Sequence, residues 1–303
     1  MARRNLIAEN FHPELTAEAK KTMRTRQDGL APIHLYGKLW HVGDKEAPAY
    51  LLDTGDGLLL IDSGLPRTCD RIVGNIQELG LEPRNLRWIL HSHGHVDHIG
   101  STRKLAALSG AETLIGAPDR DMAAGRAGEL TFAAEMGVAP AEPFEPDRLV
   151  HDGDVLRFGR VTIRCAAAPG HTRGTMAFFF DLEENGAVRR AGMHGGLGFN
   201  TMTSAYLARY ALSPECRREF AAGLERLKHE KVDIVVGNHL SQNRTMEKLA
   251  RRQAEPSGAN PFFDPAEWER LLTGKLADFR MFEQQDPIEP HPASEIQKRE
   301  NGK

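Results

Sequence analysis

The stretch Asn85-Leu86-Arg87-Trp88-Ile89-Leu90-His91-Ser92-His93-Gly94-His95-Val96-Asp97-His98 decides how this chain is read. Its first half is an apolar run of strand length, and its second half sets three imidazoles and a carboxylate between His93 and His98. Divalent zinc prefers such ligands, and a hydrolytic site needs them fixed by backbone so that one coordination position stays open. In extended backbone His93 and His95 project to the same side, while Asp97 and His98, past the turn, project elsewhere. One loop at a strand end can therefore feed two metals about 3.5–4 Å apart. A lone histidine is ordinarily a surface or core residue, and His12, His34, His41, His91, His151, His229 and His291 are read that way.

Upstream, Ala49 to Gly64 reads AYLLDTGDGLLLIDSG, two β-rich runs around Asp56-Gly57, a dipeptide that favours a tight hairpin. Ile72, Ile76 and Leu79 then recur at helical spacing before Gly80. Downstream, a helix from Thr102 to Leu108 closes at Gly110, and an irregular acidic and Ala-rich region to about Pro146 is expected to cover a pocket. Asp152-Gly153-Asp154 predicts a second hairpin. Val161 to Ala167 reads as a strand ending at Pro169-Gly170-His171, and Thr175 to Asp181 as the strand after it. A helix from Pro214 to His229 precedes an apolar strand, Asp233 to Gly237, whose following loop holds His239. Three strand ends thus each deliver metal-ligand residue types.

Hairpins with interposed helices argue for an α/β protein of the αββα sandwich type: two mixed β-sheets packed face to face with helices on the outside. Residues 1–30 read as a polar N-terminal arm, residues 31–285 as the domain, and residues 286–303, rich in Pro, Glu, Lys and Gln, as a disordered tail. Glu247 to Arg252 and Glu267 to Phe282 read as peripheral helices.

A formal net charge of −3 gives no global attraction to phosphate backbones or anionic surfaces, so neither nucleic acid nor membrane is expected as a partner. No run approaches the ~20 apolar residues that span a bilayer. The early positive charge of the N-terminus is not followed by an apolar run of secretory length, which predicts a cytoplasmic chain acting on a small-molecule substrate. Cys69, Cys165 and Cys216 are far apart and form no CxxC pair, which points away from disulfides and thiolate zinc sites.

Four segments together resemble the metallo-β-lactamase superfamily from about Ile33 to Met281: LLLIDSG with Asp62, HSHGHVDH, APGHTRGT with His171, and VVGNHL with His239. The resemblance implies a first metal held by His93, His95 and His171 and a second held by Asp97, His98 and His239, with two Zn2+ per chain. It also implies a support role for Asp62, whose plain reading as a turn-forming aspartate stays open. Hydroxyacylglutathione hydrolases and lactonases of this superfamily carry a further bridging aspartate. The corresponding strand end here, RRAGMHGGLGFNTM, has no acid. In this it is similar to the β-lactamase subclass with all-His/Asp ligands and no cysteine ligand, as is NPFFDPAEWERLL near the C-terminus. Such enzymes are normally exported, and a serine common in that subclass is missing from GGLGFN. His194, just before this loop, is a candidate pocket residue.

The implied activity is that of a binuclear zinc hydrolase in which metal-bound hydroxide attacks a carbonyl, most simply a β-lactam or related cyclic amide, with Asp97 orienting the nucleophile. Lactone or thioester hydrolysis, or iron-dependent oxidoreduction by the same ligands, are the alternatives. Because imidazole and carboxylate account for every expected ligand, replacing Cys69, Cys165 and Cys216 together by Ala is expected to leave metal content unchanged by elemental analysis. Loss of metal from the folded triple variant would refute this ligand set.

Overall fold

Side-chain alternation along the strands determines how the layers stack. The computed structural model describes residues 29–288, so the arm expected over residues 1–30 falls almost wholly outside them, as does the tail beyond residue 288. Seven strands, β1 (Ile33–Tyr36), β2 (Leu39–His41), β3 (Tyr50–Asp53), β4 (Leu58–Ile61), β5 (Leu86–Leu90), β6 (Glu112–Gly116) and β7 (Arg148–Val150), form one sheet in that order. Pairing is antiparallel from β1 to β4 and parallel from β4 to β7. The second sheet runs β12 (Ile234–Val235), β11 (Ala187–His194), β10 (Met176–Glu184), β9 (Val161–Ala167), β8 (Val155–Phe158), antiparallel except for the parallel β11–β12 pair. Both sheets are mixed, as expected.

The described helices are α1 (Cys69–Glu78), α2 (Val96–Ile99), α3 (Thr102–Ser109), α4 (Arg120–Ala123), α5 (Ala133–Met136), α6 (Ser204–Arg209), α7 (Glu215–Leu227), α8 (Thr245–Ala254) and α9 (Glu267–Gln285). In β4, Leu59 and Ile61 face the central core, where they join Phe178 and Phe180 of β10. The intervening Leu58 and Leu60 face the other way, against Ile72 and Ile76 of α1 and Leu105 of α3. Phe179 likewise leaves the central core and packs with Phe220 of α7 and Trp268 and Leu272 of α9. The period of two thus builds four layers, helices, sheet, sheet, helices, and the αββα sandwich follows.

The β3–β4 hairpin turns where Asp56-Gly57 places it, with Gly57 at φ +121° and its carbonyl accepting from Thr54 N at 3.0 Å. The turn at Asp152-Gly153-Asp154 does not make a hairpin: β7 pairs with β6 in one sheet and β8 with β9 in the other, so this turn carries the chain between sheets. The hairpin comes one strand later, at Gly159 (φ +54°), where an added Cβ would meet Thr54 Oγ1 at 2.6 Å. Strand β6 lies inside the region read as irregular. It is parallel and almost wholly buried, so its sequence carries no alternation to read. Asp286, first residue of the tail expected to be disordered, instead accepts from Ser204 N at 2.6 Å and pairs with buried Arg217 at 2.6 Å. No described helix is long and apolar enough to cross a membrane.

Phe178 is fully buried between the sheets, whereas Val188 is 58% exposed. Phe178→Ala is expected to cost about 3–5 kcal/mol in denaturant unfolding, and Val188→Ala under about 0.5 kcal/mol. Equal costs would place the core elsewhere.

Candidate metal centre

Parallel strands β4 and β5 end side by side, and the two chain segments leaving them are tied together at once. Asp62, in a left-handed conformation at φ +60°, accepts from Ser92 N at 2.7 Å through Oδ1 and from Ser92 Oγ at 2.8 Å through Oδ2. Its Oδ2 also accepts from His98 Nδ1 at 2.8 Å. Asp62 therefore both turns the chain and supports a ligand, so the two readings of it are compatible. The ring of His98 is fixed with Nε2 outward, 3.3 Å from Asp97 Oδ2 and without a hydrogen-bond partner although fully buried.

His93 Nε2 and His95 Nδ1 approach to 3.0 Å, and the His171 ring lies 4.8 Å and 4.5 Å from theirs. His171 Nδ1 donates to the Gly198 carbonyl at 3.1 Å, and Thr201 Oγ1 donates to the His171 carbonyl at 2.7 Å. The GGLGFN loop thus holds this ligand. A Cβ at Gly196 would stand 2.6 Å from the His171 ring, so the close approach needs glycine there. His239, after β12, donates from Nδ1 to the Glu46 carbonyl at 3.2 Å, leaving Nε2 3.6 Å from Asp97 Oδ2. In His98, His171 and His239 alike, a fixed oxygen accepts a hydrogen bond from Nδ1–H, so that Nε2 is the ring atom left to ligate once it carries no proton.

Two groups of side chains bring their ligand atoms within 4.8 Å of one another: His93, His95 and His171, and His93, Asp97 and His98. The first is the set expected. The second includes Asp97 and His98 but takes His93 in place of His239, which stands slightly further out beside Asp97. His93 is common to both, so the two positions adjoin.

The electrostatics fit a cation. Burial, reinforced by the neighbouring imidazoles, pushes His93 and His95 well below the ordinary histidine value, and burial brings His171 down to about 4. All three are held neutral, the form that ligates. Burial acts the same way on His98, but the Asp97 and Asp62 carboxylates outweigh it and raise that ring to about 10. Burial works against an ionised Asp97, yet His98 and the other imidazoles hold its pKa low. Two buried carboxylates facing one imidazole call for positive charge that either a proton or a divalent cation supplies, and the orphaned His98 Nε2 marks where a cation is taken.

Several contributors escaped the sequence reading. His91 donates from Nδ1 to the Leu114 carbonyl at 2.8 Å and accepts from Thr102 Oγ1 at 2.7 Å. Through Ser63, whose Oγ lies 2.8 Å from that of Thr102 and donates to the His98 carbonyl at 3.0 Å, it braces the ligand loop. Phe132, at φ +65°, sets its ring 5.5 Å from that of His95, so the middle region does approach the centre. His194 is buried, pushed down to about 3 by burial, and packs 6.4 Å from the Phe220 ring, outside both ligand groups. The three cysteines are free, and Cys165 lies in the core between the sheets.

A family model for the metallo-β-lactamase superfamily matches residues 42–184, from the β2 end through β10. Residues 42–184 carry a metallo-β-lactamase superfamily domain. A probable metallo-hydrolase of Burkholderia pseudomallei is 33% identical over 145 residues, 43% of this chain and 46% of that protein. A hydroxyacylglutathione hydrolase of Anaeromyxobacter dehalogenans is 30% identical over 132 residues, 44% of this chain and 41% of that one. The matched stretches span less than half the length of these curated relatives. Among solved structures, a mutant of the FEZ-1 metallo-β-lactamase of Legionella gormanii superposes with a TM-score of 0.78 at 23% identity, covering 87% of this chain and 99% of its own. A HARLDQ-motif mutant of a Cronobacter sakazakii metallo-β-lactamase gives 0.75 at 28% identity, covering 86% of this chain and 100% of its own.

The two ligand groups are expected to be separable by mutation. His171→Ala is expected to remove about one equivalent of bound metal while leaving the position beside Asp97 and His98 filled, and His239→Ala the reverse. Stoichiometry by elemental analysis and the visible spectrum of Co2+-loaded variants distinguish them. Identical effects of the two substitutions would contradict adjoining, separate positions.

Proposed function

We propose that this chain is a hydrolase that holds two Zn2+ ions and opens β-lactam or related cyclic amide bonds. The observation that carries the substrate class is the end of β11. It reads Met193-His194-Gly195-Gly196, and the ligand groups among the described residues contain no second carboxylate beyond Asp97. A bridging aspartate is expected of the thioester- and lactone-cleaving branches, and its absence favours the β-lactamase branch. Likeness to metallo-β-lactamase structures over 86–87% of the chain also supports this reading. The hydroxyacylglutathione hydrolase relative, matched over 44% of the chain, keeps thioester cleavage as the second reading.

Two divalent ions bound here supply Lewis acidity and lower the pKa of water toward ~7. The protein's part is positional. His93, His95 and His171 present neutral nitrogens from two loops, His98 presents Nε2 from α2 just past the first of them, and His239 presents its Nε2 from one more strand end, after β12. Asp97, held ionised, is placed to orient the attacking water and take its proton. Addition of water across the amide puts hydroxyl on the carbonyl carbon and hydrogen on the nitrogen as the C–N bond breaks. No serine or cysteine nucleophile is needed.

Zinc-loaded protein is expected to open at least some members of a varied β-lactam panel, with activity lost to chelators and restored by zinc. Asp97→Asn should keep the fold and lower kcat by about 10²–10⁴-fold. An intact panel beside a rapidly cleaved thioester or lactone would overturn the substrate class and leave the metal centre standing.

A further inference from the structure

The first ligand group draws on two loops far apart in sequence, Ser92–Val96 and His171–Gly174, and one buried carboxylate lies between them. Asp119 ends the short turn that follows β6 and is 1% exposed. Its Oδ2 accepts from Gly94 N at 2.8 Å, between ligands His93 and His95. The same oxygen accepts from Thr172 Oγ1 at 2.6 Å, and Oδ1 accepts from Gly174 N at 2.8 Å, on the loop that begins with His171.

The surrounding glycines are cut to fit this arrangement. A Cβ on Gly174 would meet Asp119 Cγ at 2.5 Å, and one on Gly116 would meet the Gly174 carbonyl at 2.0 Å. Asp119 also stands at the N-cap position of α4, where an aspartate ordinarily caps the helix. Its side chain makes no cap bond. Both oxygens are instead committed to the two ligand loops.

We propose that Asp119 is a positioning residue that staples the His93–His95 loop to the His171 loop and so sets the spacing of the first metal position. The inference rests on reading His93, His95 and His171 as one ligand set. The staple requires an acceptor at both ends. Two backbone N–H groups meet different oxygens, so an amide in place of the carboxylate turns an NH2 toward one of them. Aspartate is required where asparagine is nearly isosteric.

Zinc and Co2+ titration of metal-free wild type, Asp119→Asn, Thr172→Val and the double variant tests this. Asp119→Asn is expected to keep the wild-type far-UV spectrum and to weaken the first position about 10–100-fold. The Co2+ absorption of that position should lose intensity, and the position beside Asp97 and His98 should change far less. Thr172→Val, which removes one donor and leaves Asp119 in place, should weaken the same position less, and the double variant should lose less than the product of the two effects. First-position affinity and spectrum unchanged in folded Asp119→Asn would overturn the proposal. Should that variant not fold, unchanged affinity in Thr172→Val overturns it. His93→Ala is the control: wild-type binding that ignores it refutes the ligand set itself, whereas binding that needs His93 but not Asp119 refutes only the staple.

Discussion

Four imidazole rings, those of His93, His95, His98 and His171, crowd together at one edge of the sandwich, with neighbouring centroids 4.0–4.8 Å apart. Left to themselves such rings cannot all be protonated: burial strips their water, and a charge on one disfavours a charge on the next. The arrangement becomes favourable when positive charge sits among the nitrogens and takes the lone pairs. The neutral state imposed by burial on His93, His95 and His171 and the two carboxylates gathered around His98 are the two halves of that requirement. The rest of the structure holds these groups in place.

Rigid strand ends do most of the holding. β4 and β5 lie parallel and end opposite each other, Ile61 beside Leu90, so Asp62 and the histidine loop leave the sheet together and bond immediately. β9 brings His171 and β12 brings His239 from the other sheet, and the interleaved aromatic core of Phe178 and Phe180 fixes one sheet against the other. Backbone carbonyls from Gly198 and Glu46 then set the ring orientations. Distance between the ligand loops is thus a property of the whole sandwich.

Much of this was legible in the sequence for a local reason: His93, His95, Asp97 and His98 are nearly consecutive, and a strand followed by ligands at fixed spacing can be read without knowing the fold. His171 and His239 were legible as ligand-type residues at strand ends, but their assignment to particular metal positions came only through the resemblance, since each is a single histidine. Support residues were hidden. His91 sits inside the motif yet reads as an ordinary histidine until its partners Leu114 and Thr102 are seen. Asp119 looks like a helix cap, and Phe132 carries no signal for a left-handed backbone. The turn at Asp152-Gly153-Asp154 has hairpin chemistry but connects two sheets, because partner choice for β7 is decided by β6, a buried parallel strand with no alternation of its own. Local pattern reports chain reversal; it does not report which strands pair afterwards.

The central claim is that the crowded imidazoles and Asp97 hold two adjoining metal ions. Anomalous diffraction at the zinc edge from zinc-loaded crystals tests it directly. The account predicts two peaks about 3.5–4 Å apart, one about 2.0–2.1 Å from nitrogens of His93, His95 and His171 and the other bound by Asp97, His98 and His239. A single peak, none, or density away from these side chains would contradict it.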